Sequence, residues 1–224
     1  MTTRPHPART RSEPPPARTL RFARLGKVYE RAFPRKEGQL AAGEWLTERL
    51  SPGARVLDVG CGTGVPTARQ LADAGCDVTG IDICEEVLEV ARREVPGATF
   101  LRHDVVDVSG VHPAHGGFDA IVAFFSLLML PRLELPAVLR RLHDQLEPGA
   151  YFLMSVIDTD LGDVPIQLKQ CPLRATGYPG AELRALVGEA GFEVLDLRNL
   201  SYSPASPKLP PEVQLFVYCR RPQS

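Results

Sequence analysis

The sequence predicts a doubly wound α/β fold, and three observations support this prediction. Short apolar segments alternate with segments of helical periodicity along most of the 224-residue chain. The apolar residues 56–59 lead into a turn with glycine at every second position, namely Gly60, Gly62 and Gly64. A later apolar segment ends in an acid, Asp82. Ligands bind such sheets at the carboxyl ends of the strands, so the same observations locate a candidate site.

The N-terminal residues differ in composition from the rest of the chain. Residues 1–20 alternate arginine with proline, bury little and are predicted to be a disordered tail. The remaining residues, 21–224, are predicted to form a single domain. Within it, residues 21–34 are expected to form a short helix that Pro34 ends. A second helix is predicted over residues 39–50, where apolar side chains recur at helical spacing.

The next elements alternate between strand and helix. After the glycine turn, Pro66 suits a first helical turn and Gly75 suits the C-terminal cap of the same helix. Residues 77–82, DVTGID, are predicted to form the second strand. The following helix is predicted over residues 85–95, because acids stand at its start, arginines near its end, and Pro96 stops it.

The second half of the chain repeats the alternation. Residues 118–125, FDAIVAFF, are predicted to be a buried strand that leads into a loop. The remaining predicted elements are a helix with apolar positions Leu135, Val138, Leu139, Leu142 and Leu146, a strand within residues 146–156, a helix over residues 183–190 capped by Gly191, and strands at residues 192–197 and 213–219.

Composition excludes several classes of protein. The formal net charge of -1 provides no basic field for a nucleic acid. No apolar run approaches the length of about 18 residues that a membrane span needs. The five cysteines form no CxxC pair, which indicates reduced thiols and favours a cytoplasmic location. We therefore expect a cytoplasmic protein that binds neither nucleic acid nor membrane.

The glycine turn carries a resemblance to a known family. Residues 56–64, VLDVGCGTG, resemble motif I of the class I S-adenosylmethionine-dependent methyltransferases. The segments that follow in the family's order are DVTGID, FLRHD at residues 100–104, FDAIVAFF, and LEPGAYFLMSV at residues 146–156. The resemblance covers roughly residues 40–158. It implies a Rossmann-like seven-stranded sheet, mostly parallel with an antiparallel last strand, and helices on both faces.

The resemblance also implies the cofactor S-adenosylmethionine, with S-adenosylhomocysteine as product. Its cationic amino group suits a site next to Asp58, where a pyrophosphate would be repelled. The two carboxylate oxygens of Asp82 suit the two vicinal hydroxyls of a ribose. The resemblance implies these cofactor-binding residues: Tyr29, Asp58, Gly60, Cys61, Gly62, Gly64, Asp82, Ile83, Asp104, Val105 and Phe124.

The implied reaction is an in-line displacement, in which positioning supplies much of the rate. No general base is identified, because Leu128 and Met129 stand where many relatives carry histidine. A metal-independent reaction is expected. Metal-dependent catechol methyltransferases keep ligands after the fifth strand, where Asp158, Asp160 and Asp163 stand, but they also need an acid after the fourth strand, and this sequence has none there. His112 and His115 alone are too few ligands to hold a metal. A small organic acceptor is predicted to contact Phe33, Phe125, Met129, Arg174 and Tyr178.

Three other functions stay open from the sequence. A protein of this fold can use bound S-adenosylmethionine for a cyclisation or pericyclic reaction without methyl transfer, or act as a non-catalytic binding subunit. A nicotinamide-dependent oxidoreductase is disfavoured, because Val65 stands where a dinucleotide fingerprint has glycine or alanine. The sequence leaves open the acceptor, the atom methylated and the oligomeric state.

Overall fold

Nine strands form two sheets in the computed structural model. It describes residues 34, 36–113, 115–160, 164–168, 171–204 and 211–223, with backbone alone at 164–168 and 171–175. The predicted tail, Tyr29 and Phe33 lie outside the described residues. The strands are β1 (Arg55–Val59), β2 (Asp77–Asp82), β3 (Thr99–Arg102), β4 (Phe118–Phe124), β5 (Leu146–Ile157), β6 (Val164–Leu168), β7 (Cys171–Ala175), β8 (Glu193–Tyr202) and β9 (Glu212–Arg220).

The larger sheet has seven strands in the order β3-β2-β1-β4-β5-β9-β8. All neighbouring pairs from β3 to β5 are parallel, and β9 is antiparallel to both β5 and β8. The predicted fold class, with seven strands and an antiparallel last strand, is confirmed. The strand order reverses between β1 and β4. In open α/β sheets, ligands bind in the crevice outside the carboxyl ends of the strands at such a point.

Five helices and two 3₁₀ turns surround the larger sheet in the described part of the chain. The helices are α1 (Glu37–Thr47), α2 (Thr67–Asp73), α3 (Glu85–Glu94), α4 (Leu135–Gln145) and α5 (Gly180–Glu189), and the 3₁₀ turns are Val105–Gly110 and Leu127–Met129. Of the described helices, none has the length and apolar character needed to cross a membrane.

Two hydrophobic layers form because strand side chains alternate between the faces of the sheet. Val56 belongs to the layer under α1, α2 and α3, whereas Leu57 and Val59 belong to the layer under α4 and α5. In β4, Val122 and Ala123 likewise belong to opposite layers. Helices therefore cover both faces, as predicted, and leave the strand ends for a ligand.

Several boundaries differ from the predictions. Leu146 begins β5 and does not end the preceding helix, and α2 begins after Pro66. The strand β8 extends to Tyr202, well beyond the predicted end at residue 197, because it pairs with β9 over its full length. The hairpin of β6 and β7 was not predicted, since Pro165 and Pro172 weaken a strand pattern.

Candidate functional site

The glycine turn after β1 is fixed against the end of β2. The backbone N–H groups of Gly60 and Cys61 both donate to the carbonyl oxygen of Ile81, at 2.8 and 3.0 Å. Gly60 has φ +70° and Gly62 has φ +55°, conformations that residues with a Cβ rarely adopt. A Cβ on Gly60 would lie 2.2 Å from Cβ of Ser126, whereas a Cβ on Gly62 would meet nothing within 4 Å. The open side of Gly62 is where a ligand can approach the backbone.

Gly64, by contrast, faces the protein interior. A Cβ there would lie 3.2 Å from side-chain atoms of Phe100 and Val95. Its φ of +77° also requires glycine. Gly64 therefore shapes the turn by close packing, while Gly60 and Gly62 form its outer part.

Asp82, at the end of β2, receives hydrogen bonds from two backbone groups. Its Oδ2 accepts from Gly62 N at 3.0 Å, and its Oδ1 accepts from Cys84 N at 2.9 Å. Burial raises the pKa of Asp82, and these backbone donors oppose the rise. Each carboxylate oxygen can accept a second hydrogen bond, so the carboxylate is held in place and can still receive two hydroxyls.

Asp58 is buried in β1 with 3% of its surface exposed. Its Oδ2 is buried and has no hydrogen-bond partner among the described residues. Burial, followed by the negative charge of Asp82, raises the pKa of Asp58 to about 7. An ionised buried carboxylate needs a partner, so a cationic ligand group at this position would be stabilised.

The turn after β4 has an unusual backbone. Phe125 has φ +54°, which is a genuine outlier for a bulky residue. Its N–H is within hydrogen-bonding distance of both the carbonyl oxygen and Oγ of Ser155, each at 3.1 Å. The next residue, Ser126, has a buried Oγ without a hydrogen-bond partner in the described part of the chain. The sequence analysis did not single out Ser126, whose sole signal is a hydroxyl directly after an apolar strand.

Topology brings these groups together. The strand β1 lies between β2 and β4, so Asp58, the glycine turn, Asp82 and Ser126 stand at the carboxyl ends of adjacent strands. Phe124, predicted at this site, is 8% exposed and ends β4. The result is a crevice with acidic groups and exposed backbone, at the point where the strand order reverses.

The other predicted cofactor residues surround this crevice. Cys61 is buried, and burial together with the charges of Asp58 and Asp82 raises its pKa. Ile83 is half-buried directly after β2. Asp104 accepts a hydrogen bond from Val106 N at 3.1 Å and so caps the 3₁₀ turn that begins at Val105.

The predicted acceptor residues fall into two groups. Phe125 and Met129 are half-buried against the hydrophobic layer under α4 and α5. Tyr178 is fully buried, and the guanidinium of Arg132 lies 4.9 Å from the centroid of its ring. The Tyr178 hydroxyl has no hydrogen-bond partner among the described residues. Arg174 is described by its backbone in β7.

The histidines and acids weighed as metal ligands are dispersed. His112 and His115 are exposed, and Asp158 accepts a hydrogen bond from Asn199 at 2.8 Å. Asp163 lies outside the described residues. Within the part of the chain that the structure describes, no three His, Cys, Asp or Glu side chains are placed to hold a metal. The metal-independent reaction stays a prediction.

Comparison with known proteins relates the chain to a family. A family model described as "Methyltransferase domain" matches residues 18–197. The chain is 32% identical over 180 residues to the methyltransferase GfsG of Streptomyces halstedii, covering 71% of this chain and 62% of that relative. It is 31% identical over 176 residues to a ubiquinone biosynthesis O-methyltransferase of Pseudomonas aeruginosa, covering 71% of this chain and 74% of that relative.

A solved structure shares the fold. A protein of Methanosarcina mazei, described as a SAM-dependent methyltransferase, matches with a TM-score of 0.66 and 19% identity, covering 79% of this chain and 96% of that chain.

Proposed function

Because this chain belongs to the class I S-adenosylmethionine-dependent methyltransferases, we propose that it transfers a methyl group from S-adenosylmethionine to a small organic acceptor. The observation that carries the proposal is the buried Oδ2 of Asp58, which lies beside the turn from Gly60 to Gly64 and has no hydrogen-bond partner in the described part of the chain. When bound, the cofactor supplies an activated methyl group on a sulfonium. The protein contributes the binding, orientation and exclusion of water that a displacement requires.

Each part of the cofactor has a matching group in the site. Asp58 would bind the amino group, and its carboxylate would then stay ionised at neutral pH. Asp82, already oriented by Gly62 N and Cys84 N, would hold the ribose hydroxyls. Gly60 and Cys61 would line the methionine part of the cofactor, Ile83 would pack on the adenine, and Asp104 with Val105 would meet the adenine edge. Phe124 would close the wall near the sulfur, and Tyr29 stays a prediction.

The acceptor side of the proposal rests on apolar surface. Phe125 and Met129 lie after β4, next to the cofactor residues, and offer partly exposed apolar atoms. Phe33, Arg174 and Tyr178 stay predicted acceptor contacts. One of the relatives named above is, by its name, an O-methyltransferase of ubiquinone biosynthesis, and this supports a small acceptor. We also propose a cytoplasmic location, in keeping with the free thiols of Cys61, Cys76, Cys84 and Cys219.

Calorimetric titration with S-adenosylhomocysteine tests the cofactor site. We expect micromolar binding, and we expect Asp82→Ala to weaken it by on the order of 1–3 kcal/mol, because the ribose loses a buried hydrogen-bonding partner. Met129→Ala is the matched control and should leave this affinity nearly unchanged. Native protein that is folded and does not bind the ligand would contradict the cofactor assignment.

Product mass then tests the reaction. Methyl transfer adds one carbon and two hydrogens to the acceptor, whereas a cyclisation adds none. Incubation with S-adenosylmethionine and a panel of small apolar hydroxyl, amine and thiol acceptors should give a product heavier by one methylene. A product of unchanged mass would support the non-methylating alternative and contradict the proposal.

A further inference from the structure

A tyrosine and an arginine that contact each other both keep a buried atom without a hydrogen-bond partner. Tyr178 is fully buried, and its hydroxyl has no partner among the described residues. The Nε atom of Arg132 is also buried and has no partner in that part of the chain. The guanidinium carbon of Arg132 lies 4.9 Å from the centroid of the Tyr178 ring, so the two atoms belong to one cluster. Buried polar atoms nearly always have partners, and this cluster therefore indicates a polar ligand.

Backbone hydrogen bonds hold this cluster at the carboxyl ends of the central strands. The N–H of Tyr178 donates to the carbonyl oxygen of Ile157, the last residue of β5, at 3.2 Å. Two residues earlier, the N–H of Thr176 donates to the carbonyl oxygen of Leu128 at 2.8 Å. Leu128 lies in the 3₁₀ turn after β4, which also contains the predicted acceptor contact Met129. The cluster is therefore on the side of the crevice where we expect the acceptor.

The terminal nitrogens of Arg132 are already engaged. Its Nη2 donates to the carbonyl oxygen of Gly177 at 3.1 Å and to Oε2 of Glu182 at 2.9 Å, and its Nη1 lies 3.7 Å from Oδ1 of Asp160. The side chain of Arg132 is 33% exposed, so it lies at the border between the Tyr178 hydroxyl and solvent. A ligand that enters beside Arg132 can bond to Nε and to the hydroxyl without replacing any of these contacts.

The two atoms select an uncharged oxygen that accepts hydrogen bonds. Nε of Arg132 can only donate, and burial raises the pKa of the Tyr178 hydroxyl, which therefore keeps a proton to donate. The charge of Arg132 is already opposed by Glu182 and Asp160, so the cluster has no spare positive charge for an anion. Tyr178 also belongs to the hydrophobic layer under α4 and α5, where an ionised group would lose its hydration. A carbonyl oxygen meets all of these conditions.

We propose that Arg132 Nε and the Tyr178 hydroxyl bind an uncharged carbonyl oxygen of the methyl acceptor. This inference rests on the proposed function, and it narrows the small organic acceptor to a molecule that carries a carbonyl group. It also adds Arg132, which the sequence analysis did not assign, to the acceptor-binding residues. The carbonyl group orients the acceptor, and a different atom of the acceptor receives the methyl group.

Thermal unfolding of the ligand-free protein tests whether the Tyr178 hydroxyl lacks an internal partner. Tyr178→Phe keeps the ring and deletes the hydroxyl, so the unfolding midpoint should stay unchanged or rise, because a buried hydroxyl without a partner destabilises the folded state. Tyr202→Phe is the matched control. The buried Tyr202 hydroxyl accepts from Gly38 N at 2.6 Å, and its removal should lower the midpoint. A lower midpoint in Tyr178→Phe would reveal an internal partner and overturn the inference.

Three matched phenols test the ligand class on the full chain saturated with S-adenosylhomocysteine. 4-Hydroxyacetophenone carries a carbonyl group, 4-ethylphenol has the same skeleton without it, and 4-hydroxybenzoate carries an anion at the same position. By calorimetry, we expect the ketone to bind about fivefold more tightly than 4-ethylphenol, the effect of a net hydrogen bond, and more tightly than 4-hydroxybenzoate. The preference for the ketone should disappear in Tyr178→Phe and Arg132→Lys. It should persist in Arg140→Lys, which changes an exposed arginine of α4.

The possible outcomes separate this inference from the proposed function. If the native protein binds the ketone no better than 4-ethylphenol, or if Tyr178→Phe keeps the preference, the inference is overturned while the cofactor assignment stands. Tighter binding of 4-hydroxybenzoate than of the ketone overturns the choice of an uncharged group. Folded native protein that does not bind S-adenosylhomocysteine overturns the proposed function itself. A preference for the ketone that both variants lose and Arg140→Lys keeps supports the carbonyl contact.

Discussion

The two ends of the parallel strands in the larger sheet differ in how their charged and polar groups are partnered. We call the end at which these strands begin the amino edge and the end at which they finish the carboxyl edge. At the amino edge, Arg55 meets Asp119 through three hydrogen bonds of 2.8–2.9 Å, and Glu147 accepts from Gly117 N. At the carboxyl edge, Asp58 Oδ2 and Ser126 Oγ are buried without partners among the described residues. The charged groups Arg55, Asp119 and Glu147 at the amino edge are paired within the protein, whereas Asp58 and Ser126 at the carboxyl edge each keep an atom that a ligand can satisfy.

This difference teaches that a cleft and a set of unpartnered polar atoms can lie at opposite ends of the same strands. A cleft of about 410 Å³ lies at the amino edge and is lined in part by Asp119, Glu147 and Tyr151. Its acids already face Arg55, which lowers the pKa of Asp119. The carboxyl edge instead combines unpartnered polar atoms with left-handed backbone at Gly60 and Phe125, a combination that costs stability and that binding can offset.

Replacing one glycine at each edge by alanine should separate the effect of backbone strain from the loss of cofactor binding. Both Gly60 and Gly53 have positive φ, at +70° and +80°. A Cβ on Gly60 would meet Ser126, and one on Gly53 would meet nothing within 4 Å. Gly60→Ala should lower the free energy of unfolding by about 3 kcal/mol and abolish cofactor binding. Gly53→Ala should lower the free energy of unfolding by about 1 kcal/mol and leave cofactor binding unchanged. Chemical denaturation and calorimetry measure both effects, and equal losses would remove the distinction between the edges.

Replacing one aspartate at each edge by asparagine should lower cofactor affinity at the carboxyl edge and stability at the amino edge. Asp58→Asn removes the charge opposite the proposed ammonium group, and cofactor affinity should fall about 10- to 100-fold. Asp119→Asn weakens the partly exposed pair with Arg55 and should cost about 1 kcal/mol of stability with unchanged affinity. Titration and denaturation of both variants check the pattern. A loss of affinity in Asp119→Asn as large as that in Asp58→Asn would contradict it.

The effect of pH should also differ in sign between the edges. The folded protein keeps a proton on Asp58 up to about pH 7, whereas an unfolded aspartate loses its proton near pH 4. Because the folded state binds this proton more tightly, the stability that it contributes is lost as the pH rises from about 4 to about 7. The pKa of Asp119 is lowered, so its contribution is present above the ordinary aspartate pKa and is lost as the pH falls below it. Denaturation from about pH 2 to pH 8, with Asp58→Asn and Asp119→Asn as controls, measures both.

Cofactor binding should depend on the same proton. Binding of an ammonium group requires ionised Asp58, so the affinity for S-adenosylhomocysteine should fall about tenfold from pH 8 to pH 6. Near pH 7 binding should release about half a proton, seen as a dependence of the calorimetric enthalpy on the buffer. Both effects should vanish in Asp58→Asn. Their persistence in that variant would assign the proton to another group.

The sequence predicted the features that depend on local patterns. Alternating apolar segments predicted the strands and helices of the larger sheet, and the glycine spacing predicted the turn after β1. Asp82 was placed at the end of β2 because the DVTGID segment ends there, and the structure adds how Gly62 N and Cys84 N orient it. Its ribose role stays a prediction.

Features that depend on long-range packing could not be predicted. The left-handed conformation of Phe125 is unfavourable for phenylalanine and exists because Ser155, distant in sequence, receives its N–H. The hydroxyl of Ser126, which is buried without a partner among the described residues, directly follows this turn. The burial of Tyr178 under Arg132 likewise depends on contacts across the chain. Proline inside β6 and β7 concealed the hairpin, since proline usually marks a position outside a strand.

The hairpin of β6 and β7 is an interchangeable module of the fold. It forms a separate two-stranded sheet, and the segment that contains it is closed at its base by the hydrogen bond from Tyr178 N to Ile157 O. Lengthening a closed loop costs little, because loop entropy grows slowly with length. Hairpins of other lengths and sequences can therefore be grafted between Asp158 and Tyr178 at little cost in stability.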